Sequence, residues 1–238
     1  MKAFILAAGK GTRLGELTEK SPKPMLPLAG RPLLEYTISW LKKYGIQELI
    51  INLHHLPQTV TSYFGDGTKF GVSILYSEEK ALLGTAGALD PMRAHLQERF
   101  LLMYGDLLTN VDLDALIQWH LKKDAKLSMT VYNVEDPTRA GIVEMTADGR
   151  LVRFWEKPPR EKVFSTLANA GIFIVEPEII DFVPHNSYFD IGYDLLPALL
   201  TNGVGVYCHP INGYLLDIGI PTHYRQAQSD IVTKGLFS

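Results

Sequence analysis

Residues 6–14 read Leu-Ala-Ala-Gly-Lys-Gly-Thr-Arg-Leu, and the run that leads into them, Lys2–Ala7, is apolar on both faces of an extended chain. That pattern predicts a buried strand of a parallel sheet. A strand running straight into small residues lets backbone N–H groups approach a phosphate or a flat base closely. Lys10, Arg13 and Lys23 add positive charge nearby. Over residues 1–31 the cations are Lys2, Lys10, Arg13, Lys20, Lys23 and Arg31, against Glu16 and Glu19. The whole chain of 238 residues carries 23 Lys and Arg against 26 Asp and Glu, a net charge of −3. The anion site is therefore local, and no global basic excess points to nucleic acid. A Walker phosphate loop needs Gly-x4-Gly-Lys-Ser/Thr, which is absent here. A dinucleotide fingerprint needs a third glycine where Leu14 stands, which argues against an NAD-dependent oxidoreductase. A plain surface turn between strand and helix remains open on this loop alone.

Outward from the loop, strands and helical segments alternate. Pro32–Tyr44 places Leu33, Leu34, Ile38 and Leu41 at helical spacing and stops at Gly45. Strands are expected at Glu48–Leu53, Val72–Tyr76, Phe100–Tyr104 and Lys126–Tyr132, with helices at Ala86–Leu96 (interrupted by Pro91) and Leu113–Lys123. Later, Ile142–Met145 and Leu151–Trp155 flank Ala147-Asp148-Gly149 as a hairpin. Gly171–Val175, Val204–Cys208 and Tyr214–Leu216 read as strands; Pro177–Val183, Tyr193–Leu200 and Pro221–Val232 read as helices. This order predicts an α/β fold with a mostly parallel mixed sheet and helices on both faces. The single cysteine, Cys208, excludes an intrachain disulfide or a Cys-based zinc site. No apolar run is long enough for a membrane span, and no secretory leader pattern is present, so a cytoplasmic protein is expected.

Further motifs give the opening loop a meaning. Gly11-Thr-Arg-Leu14 leads to Ser21-Pro-Lys-Pro-Met-Leu-Pro-Leu28, where flanking prolines fix the backbone around Lys23. Then come Leu83-Gly-Thr-Ala-Gly87, Tyr104-Gly-Asp106, Arg139-Ala-Gly-Ile-Val143, Phe154-Trp-Glu-Lys-Pro158, Asn169-Ala-Gly171 and Leu216-Asp-Ile-Gly219. Taken together, this set resembles the sugar-1-phosphate nucleotidyltransferases, also called nucleotide-sugar pyrophosphorylases, over essentially the full chain. The Gly84–Gly87 form is most similar to the mannose-1-phosphate guanylyltransferase branch. Gly15-Glu16 departs from the family, which often has Arg-Pro or a similar pair there.

The resemblance implies a Rossmann-like nucleotidyltransferase fold of the glycosyltransferase-A type. It implies one catalytic domain over 1–238, with residues 1–130 binding the nucleotide, 131–238 binding the sugar, and no C-terminal β-helix domain. It implies nucleotide contacts from Leu6, Ala7, Ala8, Gly9, Lys10, Gly11, Thr12, Arg13, Gly84 and Thr85. It implies sugar-phosphate contacts from Gly141, Glu156, Lys157 and Asn169, and Mg2+ on Asp106 and Asp217. Arg13, Lys23, Asp106 and Asp217 are the implied catalytic set. The implied substrates are a nucleoside triphosphate and a sugar 1-phosphate, foremost GTP and mannose 1-phosphate, with neither nucleic acid nor membrane as partner and a homo-oligomer left open. Glucose-1-phosphate thymidylyl-, uridylyl- or adenylyltransferase and N-acetylmuramate-1-phosphate uridylyltransferase are the nearest alternatives. A catalytically silent nucleotide-sugar-binding regulator is the alternative from another class. Thr85 as a helix cap and Asp190 as an N-cap are the structural readings of those residues. His54 and His55 read as satisfied loop residues, Trp40 and Trp119 as core, and Cys208 as buried and inert.

Overall fold

A computed structural model describes residues 1–235, so the last three positions of the expected 1–238 domain lie outside the described residues. The chain forms two compact units. Neither is a simple half of the sequence: the first takes Met1–Leu82, Met103–Val111 and the segment from Gly213 onward, the second Leu83–Leu102 and Asp112–Asn212. A boundary at residue 130 therefore does not coincide with the division into units.

In the first unit the strands Lys2–Leu6, Glu48–Leu53 and Ser73–Glu78 are parallel, with Ala3 opposite Leu49 and Leu49 opposite Ile74. The helix Leu33–Lys43 buries Leu33, Leu34, Ile38 and Leu41, the residues that the 3.6-residue period selects. It ends where Gly45 takes a φ of 73°, a left-handed conformation suited to glycine. A second helix, Pro57–Phe64, was not expected from the sequence; it presents only Val60 and Phe64 to the core. The short strands Leu107–Thr109 and Leu215–Asp217 pair antiparallel, with Asp217 opposite Leu107. The final helix, Pro221–Lys234, sends Tyr224 and Ala227 into a core shared with Leu14, Leu26, Leu28, Leu33, Leu108 and Ile218. Full burial of each such Leu or Ile contributes about 1.5–3 kcal/mol. The segment after the opening glycine loop and the late aspartate segment, some 200 residues apart in sequence, are held by one apolar cluster. Two tyrosines tie it down: Tyr224 donates to the Pro27 carbonyl at 2.6 Å, and Tyr36 to that of Leu28 at 2.8 Å.

The second unit is mainly antiparallel. Gly141–Met145 and Leu151–Glu156 form the expected hairpin, with Gly149 at φ 88° in its turn. Leu167–Val175 runs antiparallel to Leu127–Asn133, and Val206–Pro210 runs parallel to that same strand. The fold is thus a mixed sheet architecture with helices, parallel in the first unit and largely antiparallel in the second. Three expected helices take other forms, the first of them at Pro91 as expected. Ala86–Leu96 becomes the single turn Gly84–Gly87 followed by a 3-10 segment, Asp90–His95. Pro177–Phe182 is 3-10 throughout. The segment expected as Tyr193–Leu200 is a π turn, Ile191–Leu195, running into the helix Leu196–Thr201. Trp40 is buried and donates to the Val111 carbonyl at 3.0 Å, while Trp119 is only half-buried. No helix among the described residues is long and apolar enough to cross a membrane.

Candidate active site

In the first unit the opening loop leaves its strand with Ala7 and Ala8 buried and Gly9, Lys10, Thr12 and Arg13 exposed; Leu6 and Gly11 are half-buried. Two residues outside the sequence-derived set hold its shape. Asn52, at the end of the neighbouring strand, accepts from the Ala7 N–H at 2.6 Å and donates to the Glu79 carboxylate at 2.6 Å. Thr18 donates to the carbonyls of Gly11 at 3.0 Å and Gly15 at 3.1 Å. Gly11 has a φ of 67°, and a Cβ there would lie 2.9 Å from the Thr18 methyl. The departure at Gly15-Glu16 also resolves locally: Gly15 takes φ 56° and ψ −130°, kinking the 3-10 segment Thr12–Thr18, and Glu16 is exposed.

Lys23 heads a single 3-10 turn between Pro22 and Pro24, closed by the Met25 N–H on the Pro22 carbonyl. Its Nζ lies 2.7 Å from Asp106 Oδ2. Asp106 follows the strand Phe100–Tyr104, and its carbonyl accepts from the Ile218 N–H at 3.0 Å. That contact brings Asp106 and Asp217 together across the antiparallel pair. Asp217 Oδ1 accepts from the Gly219 N–H at 2.6 Å. A Cβ on Gly219 would stand 2.8 Å from that oxygen and 3.0 Å from Arg13 Nη2. A side chain at 219 would crowd both groups. Burial, together with the negative charge of Asp106, pushes the Asp217 carboxyl up to about 6, against the pull of Lys23 and Arg13. Arg13, Lys23, Asp106 and Asp217 therefore form one cluster, as their separate motifs suggested.

That donor set suits a hard divalent cation. Among the described residues no group of three or more His, Cys, Asp or Glu side chains converges on a metal position. Two adjacent carboxylates match an ion such as Mg2+, which takes one or two carboxylates and completes its shell with water and phosphate oxygens. Two like charges, one of them largely buried, are also what a cation would stabilise.

In the second unit Glu156 ends its strand between two glycines. A Cβ on Gly141 or on Gly192 would each come 2.5 Å from Glu156 Oε2. Lys157, with φ 48°, places Nζ 3.2 Å from Glu156 Oε1. Burial raises the Glu156 carboxyl, Lys157 opposes that shift, and Asp190 adds to it. Asn169 is half-buried and accepts from the Gly171 N–H at 2.9 Å, where the strand bulges and Gly171 takes φ 78°. Gly141, Glu156 and Lys157 are thus in mutual contact. Gly192 joins them although no motif reading pointed to it.

The Gly84–Gly87 turn differs from expectation. Thr85 is not its cap; the hydroxyl donates to Asp190 Oδ2 at 2.8 Å and accepts from the Ile191 N–H at 2.7 Å. The N–H groups of Ala86 and Gly87 both go to the Phe189 carbonyl, so the Gly87 donor is already engaged. Asp190 is the N-cap expected of it, accepting from Gly192 and Tyr193. His54 and His55 sit at 2.8 Å from the Glu79 carbonyl and 2.9 Å from the Thr18 carbonyl. Cys208 is buried, and burial pushes its thiol up to about 12.

Residues 2–234 match the family model described as nucleotidyl transferase. A UTP–glucose-1-phosphate uridylyltransferase of Synechocystis is 35% identical over 98% of this chain, and a mannose-1-phosphate guanylyltransferase of Mycobacterium tuberculosis is 33% identical over 97%. This chain spans 64% of the length of either relative. In fold it is similar to a UDP-glucose pyrophosphorylase solved with UDP-glucose, with a TM-score of 0.84 at 22% identity and 98% of each chain covered.

Proposed function

Because this chain belongs to the nucleotidyl transferase family, we propose that it transfers a nucleotidyl group from a nucleoside triphosphate to a sugar 1-phosphate, releasing pyrophosphate. The observation that carries this reading is the cluster of Arg13, Lys23, Asp106 and Asp217, with Lys23 and Asp106 2.7 Å apart. In the reaction a phosphate oxygen of the sugar phosphate attacks the α-phosphorus. The bond from that phosphorus to the oxygen bridging to the β-phosphate breaks, and its electron pair leaves with pyrophosphate. The nucleophile is already an anion at neutral pH, so no strong protein base is required. The obstacles are repulsion between anions and charge that builds at the α-phosphate. Positioning and fixed charge address both.

In this scheme the loop Leu6–Thr12, with its small residues Ala7, Ala8, Gly9 and Gly11, admits the nucleotide, and Lys10 and Arg13 counter the triphosphate charge. Lys23, held between prolines, passes from Asp106 to a phosphate oxygen. Asp106 and Asp217 are the residues that would hold Mg2+, which supplies further positive charge to the phosphates when bound. In the second unit Lys157 takes the sugar phosphate. Glu156 accepts from sugar hydroxyls, Asn169 donates from its amide, and the Gly141 backbone leaves room for the ring.

GTP with mannose 1-phosphate is the first pair to test, from the form of Gly84–Gly87 and the 33% identical relative. UTP with glucose 1-phosphate is the second, from the 35% identical relative. The experiment is a pyrophosphate-release screen. It crosses GTP, UTP, dTTP, CTP and ATP with the 1-phosphates of mannose, glucose, N-acetylglucosamine and N-acetylmuramate, with and without Mg2+. Metal-dependent release with one dominant pair is expected. A folded chain that binds a nucleotide sugar but turns over no pair would instead be a silent regulator.

A further inference from the structure

Two aromatic side chains of the second unit stand in solvent beside the Glu156–Lys157 pair. Tyr188 is 66% exposed and Tyr193 58%. A single exposed tyrosine is ordinary, but these two share one neighbourhood. Lys157 Nζ lies 5.8 Å from the centre of the Tyr193 ring. Asp190, Asp194, Lys157 and Tyr193 all lie within electrostatic reach of the Tyr188 hydroxyl. The backbone beneath both rings is pinned. Phe189, next to Tyr188, donates to the Leu83 carbonyl at 2.8 Å and accepts from the N–H groups of Ala86 and Gly87. The Tyr193 N–H donates to Asp190 Oδ1 at 3.1 Å, beside the Gly192 N–H at 2.8 Å. Asp194 accepts from the Asp190 N–H at 2.8 Å. These bonds border the π turn Ile191–Leu195, a rare geometry often found at functional sites. A Cβ on Gly192 would come 2.5 Å from Glu156 Oε2, so Tyr193 follows directly on the residue that walls the carboxylate.

We propose that Tyr193, with Tyr188 beside it, is a specificity-determining platform on which the ring of the sugar 1-phosphate packs. This rests on the sugar role proposed above for Glu156 and Lys157. A pyranose is amphipathic: its hydroxyls crowd the rim, and its C–H groups make faces that a flat aromatic ring can cover. The electron-rich face of a tyrosine attracts such C–H groups. Tyrosine also offers its area at a low cost in conformational entropy, the more so on a pinned backbone. The substrate has three chemical parts, and each then meets its counterpart: the phosphate at Lys157, the hydroxyls at Glu156 and the apolar face at the tyrosines. A carboxylate and a lysine alone would accept many hydroxylated phosphate esters. The rings add the demand for a cyclic substrate with a C–H face.

The test compares Tyr193→Leu, which removes the aromatic face, with Tyr193→Phe, which keeps it and loses only the hydroxyl. Tyr193→Leu is expected to raise KM for the sugar 1-phosphate about tenfold, and Tyr188→Leu about threefold. KM for the nucleotide should stay within about twofold in both, and Tyr193→Phe should keep the wild-type sugar value within the same margin. Glu156→Gln is the reference variant. If it raises the sugar KM and Tyr193→Leu does not, the platform is refuted and the sugar site stands. If neither raises it, the sugar role of this region falls and the platform with it. A phenylalanine that behaves like leucine, or a raised nucleotide KM, also overturns the proposal. Saturation-transfer NMR supplies a readout free of turnover. Irradiating the aromatic protons should saturate the sugar-ring C–H protons of bound GDP-mannose or UDP-glucose. The transfer should be lost when both tyrosines are leucine and kept when both are phenylalanine; no transfer to those protons in the wild type overturns the proposal. A wild-type chain that turns over no pair defeats the proposed reaction, and the NMR result then decides this inference alone.

Discussion

The two clusters of charged residues are held in place by opposite means. In the first unit the charges gather around one pair: Lys23 and Asp106 are in direct contact, and Asp217 and Arg13 stand close enough to act on each other's charge. In the second, Glu156 pairs with Lys157 and is flanked by two glycine backbones, with a hydrogen-bonded turn behind one of them. Ion pairs between functional groups can be exchanged for substrate or metal with little rearrangement. A carboxylate wedged between backbones cannot move, and such rigidity is what discrimination between similar sugars demands. The first cluster is therefore suited to handling changing charge, and the second to reading a fixed shape.

The sharpest way to break this contrast is to remove members of the first cluster. Lys23→Ala and Asp217→Ala should each lower kcat by about 10²–10³, the usual loss for a group acting mainly in the transition state. Melting temperature should hold in both, and Asp217→Asn should hold or raise it, because its charge is buried beside Asp106. Steady-state kinetics with thermal melts checks this, and normal turnover in Lys23→Ala would remove that lysine from the mechanism. The loop beneath the cluster should respond in the opposite way. Asn52→Ala removes the bonds Asn52 makes to the Ala7 N–H and to the buried Glu79 and should cost about 1–3 kcal/mol of stability in urea unfolding. Glu156→Gln should act on recognition: KM for the sugar 1-phosphate rises about tenfold or more while kcat changes less. A kcat loss as large as that of Lys23→Ala would show that the two clusters do not divide the work as described.

Much of this was legible in the sequence, for physical reasons that differ by residue. The strands Glu48–Leu53 and Phe100–Tyr104 and the helix Leu33–Lys43 follow from apolar periodicity, because burial is what periodicity records. Lys23, Asp106, Glu156 and Asp217 stand in motifs whose composition is itself chemical. Asn52, Thr18 and Gly192 were out of reach. Each acts on a partner that is distant in sequence or depends on a backbone angle, and an isolated asparagine or glycine carries no sign of that. Thr85 is the instructive error: a threonine beside a helix start reads as a cap, yet its partner, Asp190, lies 105 positions away. The π turn was equally hidden, since its residues show the apolar spacing of an ordinary helix and only the hydrogen bonds from Asp190 and Thr85 set it apart.

The smallest expected effect concerns how the second unit keeps its rigidity. His120 is buried with Ser128 at 2.9 Å on Nδ1 and Glu176 at 3.0 Å on Nε2, and Arg99 also reaches Glu176 at 2.5 Å. Burial lowers the His120 pKa below its ordinary value; the Glu176 bond opposes that, Arg99 reinforces it, and Asp124 opposes it weakly. Because the folded value is depressed, the unfolded chain takes up the proton first as pH falls. The stability tied to a neutral His120 is thus fully present above about pH 6.5 and is lost as pH drops through the folded value. Melting temperature measured from pH 8 to pH 5 should fall more in the wild type than in His120→Gln, which keeps polar atoms but cannot gain a proton. The difference should widen steadily toward the acid end. Equal pH slopes in the two proteins would mean that His120 carries no titration of its own.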